Sequence, residues 1–296
     1  MTAEPVLEAR DLRRRYGDTV ALDGVSVTVE AGEVFGLVGP NGAGKTTLVR
    51  ALTGTTSVEG TVRLFGVEPT AVDRSRVGLL PQEFAPAGRL TVRELLAYYA
   101  GLYEEARSVE SVLDDVGLVE AADTWYEDLS GGQKRRACVG AALVNDPELL
   151  FLDEPTSGLD PRASRTVRDT LASLGAGDTT VFLSTHILPV VDELADVVGV
   201  LADGRLVAEG PPEQLKTRAA AGDQRTLEDV FLDVTGDVGD GLDVAGGGDD
   251  SLDVAGEDSD GSRNGSQTGT NGTTPNSHTA DSEQSVVSAD HEEGQE

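Results

Sequence analysis

Residues 39–46 read Gly39-Pro40-Asn41-Gly42-Ala43-Gly44-Lys45-Thr46, and this stretch decides the fold. It satisfies the pattern G-x-x-x-x-G-K-[ST] at every fixed position. The apolar run 34–38 before it predicts a buried strand, and the helix that the motif opens is predicted to run to about Leu52. Glycines let successive backbone amides turn toward phosphate oxygens, and the helix adds its positive N-terminal end. The stretch therefore predicts the phosphate cradle of a nucleoside triphosphatase.

The side chains of this cradle have distinct predicted tasks. Lys45 places an ammonium between the β- and γ-phosphates of ATP, and Thr46 offers a hydroxyl to Mg²⁺. The predicted ATP contacts comprise Gly39, Pro40, Asn41, Gly42, Ala43, Gly44, Lys45, Thr46 and Thr47. A glycine-rich turn that merely precedes a lysine is the alternative interpretation. The chain has so few lysines that an accidental match is rare, which favours the functional one.

A pair of carboxylates follows a second apolar run. Residues 149–152 predict a buried strand that ends in Asp153 and Glu154. Adjacent side chains of a strand diverge, so the two acids should have different tasks. Asp153 is the candidate to hold Mg²⁺ or its waters, and Glu154 is the candidate general base for the attacking water. Two solvated acids at a strand end are the alternative in a chain this acidic.

Apolar runs that alternate with helical patterns predict an α/β fold for residues 1–236. A third buried strand is predicted at 180–183, and a helix is predicted over Thr91–Tyr103 with Thr91 as its N-cap. A short amphipathic helix is predicted at about 226–235. Residues 237–296 hold fifteen Asp and Glu against one Arg and no aromatic residue, so we expect a disordered acidic tail there.

Five further elements, in order along the chain, resemble those of the ATP-binding cassette (ABC) ATPases over residues 5–236. Leu129-Ser130-Gly131-Gly132-Gln133 resembles the signature motif of that family. The other matches are Tyr16 for the aromatic residue that stacks on adenine, Gln82 for the Q-loop glutamine, Ser157-Gly158-Leu159-Asp160 for the D-loop and His186 for the switch histidine. Together with the phosphate loop, they identify the chain as a member of this family.

The resemblance implies a fold and a mechanism. It implies a P-loop core with an antiparallel β subdomain and an inserted helical subdomain at about 83–129. It implies that two domains bury two ATP molecules head to tail. The catalytic residues would be Glu154, His186 and Gln82, and the metal site would be formed by Thr46, Gln82 and Asp153. Ser130, Gly131, Gly132, Gln133 and Asp160 would contact the nucleotide bound by the neighbouring domain.

The resemblance also implies partners. The helical subdomain and the Q-loop would form a groove for a membrane permease, expected as a separate chain, with the ATPase peripheral on the cytoplasmic face of the membrane. The C-terminal runs 204–212 and 226–232 resemble daunorubicin-resistance-type export ATPases. A homodimer and a heterodimer of ATPase domains remain open. The alternative is a soluble ABC ATPase acting on ribosomes or DNA. Repair types carry a long coiled coil for which 83–129 has no room, and ribosomal types usually carry two cassettes in one chain.

The composition excludes several other classes of protein. The 23 Lys and Arg against 53 Asp and Glu give a net charge of −30, so binding of nucleic acid through bulk charge is excluded. The single cysteine excludes an intrachain disulfide. The longest apolar runs, such as Val197–Ala202, are far shorter than the roughly 20 residues that cross a bilayer. Many acidic residues with only three lysines favour a halophilic source, of the haloarchaeal type, over a merely acidic mesophilic one.

Overall fold

The computed structural model describes residues 5–86, 89–175, 177–218 and 226–235. The strands are β1 (Leu7–Tyr16), β2 (Thr19–Val29), β3 (Val34–Val38), β4 (Glu59–Leu64), β5 (Val77–Leu80), β6 (Leu149–Asp153), β7 (Thr180–Thr185), β8 (Val197–Ala202) and β9 (Arg205–Gly210). The α-helices are α1 (Lys45–Leu52), α2 (Val92–Ala100), α3 (Val109–Asp115), α4 (Gly131–Ala141), α5 (Pro161–Gly175), α6 (Leu188–Leu194), α7 (Pro212–Arg218) and α8 (Leu227–Thr235).

Six strands form the central sheet in the order β5-β6-β7-β3-β8-β9. The strands from β5 to β8 pair in parallel, and β9 pairs antiparallel to β8 at the edge. Strands β3, β6 and β7 are buried along their whole length, as expected where both faces of a parallel sheet are covered. The carboxyl ends of these three strands lie at one edge, so the segments that follow them converge there.

A smaller antiparallel sheet, in the order β2-β1-β4, packs beside the central one. Between them lies an apolar cluster in which Phe35, Phe151 and Phe182 line up across three neighbouring strands. The ring centroids of Phe35 and Phe182 are 5.3 Å apart, and those of Phe151 and Phe182 are 5.6 Å apart. A second cluster on the other face of the central sheet includes residues of α4, α5, α6 and α8. The predicted α/β fold with an antiparallel subdomain is confirmed.

The helical insertion contains α2 and α3 and leads into α4. Thr91 is the N-cap of α2, as predicted: its hydroxyl accepts from the backbone of Glu94, whose carboxylate accepts from the backbone N–H of Thr91. The predicted end at Tyr103 is wrong, because α2 ends at Ala100 and Gly101 follows as its C-cap. Glycine is a poor helix former, and the side chain of Leu102 is exposed, so nothing there favours another turn.

The predicted strands and the last helix lie close to their expected bounds. The strand at 34–38 is confirmed, while β6 extends one residue further, to Asp153, and β7 extends to Thr185. Helix α8 begins at Leu227, and its Leu227, Val230 and Phe231 are buried in the second cluster. The acidic tail predicted at 237–296 lies outside the described residues, so the domain boundary near 236 stays a prediction.

Candidate nucleotide site

The segment 39–46 turns tightly into α1. Gly44 precedes the helix with φ +107°, and a Cβ at this position would come within 2.3 Å of the carbonyl oxygen of Ala21. Only glycine tolerates both the conformation and the close approach of β2. No side chain caps the first turn of α1. Its N-terminal end is therefore suited to an anionic ligand.

A cavity of about 590 Å³ lies beside this turn, within the size range of small-molecule sites. It joins residues of β2, the loop before α1, and the segments that follow β5, β6 and β7. The lining comprises Thr19, Val20, Ala21, Asn41, Gly42, Gly44, Lys45, Thr46, Thr47, Gln82, Glu154, Ser157 and His186. The structure thus brings the predicted phosphate cradle together with Gln82, Glu154 and His186.

Lys45 is the buried cation of this cavity, with 6% of its side chain exposed. Its ammonium donates to the carbonyl oxygens of Gly39 at 2.7 Å and Pro40 at 3.2 Å. It also lies 3.3 Å from Oε1 of Glu154. A buried charge needs such compensation, because its transfer from water is strongly unfavourable. The ammonium is therefore held inside the cradle by the loop and by the carboxylate.

Glu154 follows β6 in the left-handed conformation, with φ +49°. Its Oε2 lies 2.9 Å from Nδ1 of His186, and the hydroxyl of Thr185 donates to it at 3.4 Å. A non-glycine residue at positive φ is strained, and such strain concentrates at functional sites. The conformation directs the Glu154 carboxylate to the end of β7, where His186 and Thr185 meet it.

Asp153 is the last residue of β6, and 2% of its surface is exposed. Parallel pairing sets it opposite Ser184 of β7, whose hydroxyl donates to Oδ1 of Asp153. Asp153 does not line the cavity, unlike its neighbour Glu154. The two carboxylates therefore occupy different environments, one held by a buried hydroxyl and the other by Lys45 and His186.

Thr46 and Gln82 meet at the cavity wall. The Thr46 hydroxyl donates to Oε1 of Gln82 at 3.2 Å. Across the described ranges, no group of three or more His, Cys, Asp or Glu could hold a metal ion by itself. Mg²⁺ commonly relies on one or two carboxylates together with substrate phosphates and waters. The oxygens of Thr46, Gln82 and Asp153 are of the type that Mg²⁺ prefers, so these residues fit the ion.

The signature residues lie outside the cavity. Ser130 is the N-cap of α4: its hydroxyl accepts from the backbone of Gln133, and Oε1 of Gln133 accepts from the backbone of Ser130. Gly132 packs against α5, where a Cβ would lie 2.7 Å from that of Ala163. Asp160 caps α5 by accepting from the backbone N–H groups of Arg162 and Ala163, both at 3.0 Å. One chain therefore does not bring the signature and the phosphate loop into one cavity.

Tyr16 also lies outside the cavity lining. Its side chain is 45% exposed, and the guanidinium of Arg14 lies 4.7 Å from the ring centroid. A hydrogen bond with Thr56 contributes most to lowering the pKa of its hydroxyl, with smaller contributions from Arg14 and Thr47. The Tyr16 side chain therefore lies near Thr47 of α1 but does not line the cavity.

Comparison with known proteins decides the family. The sequence profile described as "ABC transporter" matches residues 22–157. Nod factor export ATP-binding protein I of Burkholderia lata is 42% identical over 219 residues, which cover 71% of this chain and 72% of that protein. The chain belongs to the ABC transporter family. A Rhizobium meliloti protein of the same name is 41% identical over 71% of this chain and 65% of its own length.

Solved structures agree with this ABC fold. An ATP-binding subunit of an ABC transporter superposes with a TM-score of 0.68 at 25% identity, covering 78% of this chain and all of that one. The Clostridium perfringens protein cbiO1, described as part of the ABC transporter complex cbiONQ, superposes with a TM-score of 0.61 at 26% identity, covering 72% and 90%. The chain is an ATP-binding ABC subunit and an ATPase. No helix in its described portion has the length and apolar character needed to span a membrane.

Two residues of this ABC ATPase support the site and were missed at the sequence level. Ser184 binds Asp153, and Arg135 of α4 donates to backbone carbonyls at the end of β6. The role of Ser184 could have been predicted from the sequence, because parallel strands that end together set it opposite Asp153. The role of Arg135 could not, because its hydrogen-bond acceptors are backbone atoms, and no pattern of side chains in the sequence marks them.

Proposed function

We propose that this ABC ATPase powers export through a separate membrane permease by closing, with a second ATPase domain, on two ATP molecules. The observation that carries the proposal is that two anion-binding elements, the cradle and the start of α4, lie apart within one chain. The cradle lies with Glu154 and His186, whereas Ser130 begins α4 outside that cavity. A two-fold arrangement can set the signature of one copy against the cradle of the other.

The chemistry follows from the side chains around the cavity. Lys45 and the amides at the start of α1 bind the β- and γ-phosphates of ATP. Glu154 accepts a proton from a water that attacks the γ-phosphorus; the new P–O bond forms as the bond to the ADP oxygen breaks. His186, 2.9 Å from Glu154, orients that carboxylate. Thr46, Gln82 and Asp153 would hold Mg²⁺, which neutralises phosphate charge when bound.

Exposed apolar residues of the helical insertion support a membrane partner. Tyr98 and Leu102 are 60% and 63% exposed at the C-terminal end of α2 and just beyond it. Beside them, Phe84, Tyr99 and Tyr103 line a groove of about 260 Å³ against the central sheet. Aromatic side chains of this kind favour a protein interface. This surface suits a permease helix at the cytoplasmic face of a membrane.

The direction of transport is proposed from the relatives. Both curated relatives described above carry the word export in their names. The C-terminal resemblance to daunorubicin-type exporters points the same way. The described part of the helical insertion holds only the short helices α2 and α3 and single turns. That content does not favour the alternative with a long coiled coil acting on DNA.

The substitution E154Q tests the catalytic assignment. It removes the base and keeps the size of the side chain, so the full-length protein should bind ATP and accumulate as a dimer. Phosphate release should fall by about 100-fold or more, since general bases contribute 10²–10⁴-fold. Size-exclusion chromatography with light scattering and a phosphate assay measure both effects. E120Q, at an exposed turn, is the matched control, and wild-type turnover in E154Q would contradict the proposal.

The partner is tested in native membranes. A tagged chain extracted at about 1 M KCl, where the Debye length is near 3 Å, should co-purify with an integral membrane protein. The variant L102D, which places a charge on the exposed apolar surface, should lose that protein while its ATP binding persists. Recovery of ribosomal proteins or DNA in place of a membrane protein would support the alternative function.

A further inference from the structure

Arg135 connects the signature helix to the catalytic end of β6. It lies on α4, five residues after Ser130. Its Nε donates to the carbonyl oxygen of Pro155 at 2.8 Å, and its Nη2 donates to those of Asp153 and Glu154, both at 2.9 Å. One planar guanidinium thereby holds three consecutive carbonyl groups.

A fourth carbonyl lies within reach of the same group. Nη1 of Arg135 is 3.5 Å from the carbonyl oxygen of Pro81, the residue before Gln82. The guanidinium therefore bridges α4 to two of the segments that line the nucleotide cavity. Arginine has five N–H donors in a fixed fork, whereas lysine has a single ammonium. Lysine cannot reproduce this set of contacts.

The surroundings of Arg135 do not by themselves favour a charged side chain. In the described ranges, all hydrogen-bond acceptors of Arg135 are neutral carbonyls. Burial lowers the pKa of its guanidinium, because removal from water disfavours the charged form. The carboxylates of Asp153 and Glu154 oppose this lowering, but neither accepts a hydrogen bond from the guanidinium, and a buried charge contributes little to stability relative to a well-packed neutral residue. The geometry that it imposes is the better explanation for an arginine at this position.

That geometry concerns the backbone of Glu154. Three consecutive carbonyls do not point to one place in a regular strand, where they alternate in direction. Here they converge because Glu154 lies between Asp153 and Pro155 at φ +49°. The left-handed conformation is disfavoured by about 1–2 kcal/mol for a residue with a Cβ. The three bonds from Arg135 oppose that strain and hold the turn.

We propose that Arg135 is a positioning residue that holds the backbone turn at Glu154 and so directs its carboxylate into the nucleotide cavity. This role rests on the proposed function, in which Glu154 is the base. Arg135 and Ser130 share one helix, so a displacement of α4 when a second domain closes reaches Glu154 through the guanidinium.

The substitution R135Q tests the role in the full-length protein. We expect kcat to fall by about 10- to 100-fold, as misplacement of a reacting group does, and KM for ATP to change by less than about threefold. R135K keeps the charge but not the fork, and should show a smaller loss in kcat with the same unchanged KM. Single-turnover phosphate release and nucleotide-binding titrations measure the two parameters.

R136Q is the matched control on the same helix. Arg136 donates to the carbonyl oxygens of Val116 and Gly117 in the helical insertion and not to the end of β6. Its loss should lower Tm to a similar extent while kcat stays within about twofold of the wild type. Equal losses of kcat in R135Q and R136Q would overturn the proposal, because both would then report general destabilisation.

A double-mutant cycle with E154Q separates positioning from stability. If Arg135 acts through Glu154, R135Q should lower the residual turnover of E154Q by less than about twofold. A further loss as large as that in the wild-type background would overturn the proposal, as would wild-type kcat in R135Q. Should R135Q fail to fold, R135K is judged by the same criteria. Full activity of E154Q would overturn the proposed function, whereas an inactive E154Q with an active R135Q would overturn only this inference.

Discussion

Single residues concentrate buried charge at the carboxyl ends of the central strands. Lys45, Asp153 and Glu154 are each less than a tenth exposed. Each is compensated locally: Lys45 by two carbonyls and Glu154, Glu154 also by His186, and Asp153 by the hydroxyl of Ser184. Removing one partner of a buried charged group lowers the free energy of unfolding by more than the average contribution of such a contact. The reason is that the remaining group is left buried without compensation.

S184A should show this effect. It removes the donor to the buried Asp153 carboxylate, so the free energy of unfolding should fall by about 1–3 kcal/mol. The Mg²⁺ concentration for half-maximal turnover should rise, because Asp153 would be held less firmly. Urea unfolding and a magnesium titration of phosphate release measure the two effects. S173A, which removes an exposed hydroxyl of α5, is the control and should change neither.

Glu33, just before β3, provides a pH-dependent test. Burial raises its pKa above the ordinary 4.5, and repulsion by Asp196 and Glu30 adds to this, although the backbone N–H of Glu30 opposes it. The folded protein therefore binds this proton more tightly than the unfolded chain. The resulting stabilisation is complete below about pH 4.5 and is lost as the pH rises through the raised pKa.

E33Q should accordingly raise Tm at pH values above the raised pKa of Glu33, where the wild-type carboxyl is ionised, and the advantage should vanish below about pH 4.5. The glutamine oxygen can still accept from Glu30. E104Q removes an equal charge from an exposed position, so it reports the general relief of repulsion in this acidic chain. Thermal unfolding across pH gives the comparison. A constant gap between E33Q and E104Q at all pH values would contradict the assignment.

At the scale of elements, helices α2 and α4 begin in the same way. Thr91 with Glu94 starts α2, and Ser130 with Gln133 starts α4, each with reciprocal side-chain to backbone hydrogen bonds. Such caps satisfy amide groups that the helix itself leaves free. Ser130 differs from Thr91 in its proposed second task, which is contact with the nucleotide of the neighbouring domain.

The pair T91A and S130A separates these tasks. Each loss of a cap should lower the free energy of unfolding by about 1 kcal/mol. T91A should retain ATP-dependent dimerisation, whereas S130A should weaken it, because only the start of α4 would face a second nucleotide. Light scattering with ATP, in the E154Q background, measures the dimer. Equal dimerisation in both variants would remove Ser130 from the proposed interface.

At the scale of the whole molecule, the net charge of −30 opposes association of two copies. Exposed like charges repel over about 10 Å at 0.1 M salt and over about 3 Å at 1 M. A closed dimer brings two such surfaces together, so its stability should depend on salt more strongly than the binding of ATP to one chain does.

We therefore expect the ATP-bound E154Q dimer to strengthen as KCl rises from about 0.1 to 1 M. The Kd for ATP of the monomer should change less over the same range. Analytical ultracentrifugation in KCl, and in NaCl at equal ionic strength, separates screening from any specific effect of potassium. Dimerisation that weakens with salt would contradict the role assigned to surface charge.

Much of this architecture could be predicted from local patterns. Apolar runs bounded by polar residues marked β3, β6 and β7, and Thr91 with Glu94 marked the start of α2. The end of α2 was missed, because Leu102 continues the apolar spacing without being buried. Periodicity describes which face a side chain would occupy. It does not say whether a neighbouring surface is there to cover it.

The candidate site likewise combines features that the sequence predicts with features that it does not. The cradle, Gln82, Glu154 and His186 could be placed in one cavity from their motifs, and the structure brings them together. The positive φ of Glu154 and the contacts of Arg135 could not be foreseen. The carbonyls that Arg135 contacts are 18 to 20 residues away from it in sequence, and they come close only when α4 packs on the sheet. Tertiary packing, not local pattern, determines them.

The contact of 3.3 Å between Lys45 and Glu154 has a consequence for the resting enzyme. An incoming triphosphate is a stronger anion than one carboxylate, so it should draw the ammonium away from Glu154. Binding of the triphosphate and release of the Glu154 carboxylate from Lys45 would then be a single event. In the empty subunit this carboxylate stays paired with Lys45, so under the proposed mechanism it would meet a water only after nucleotide has bound.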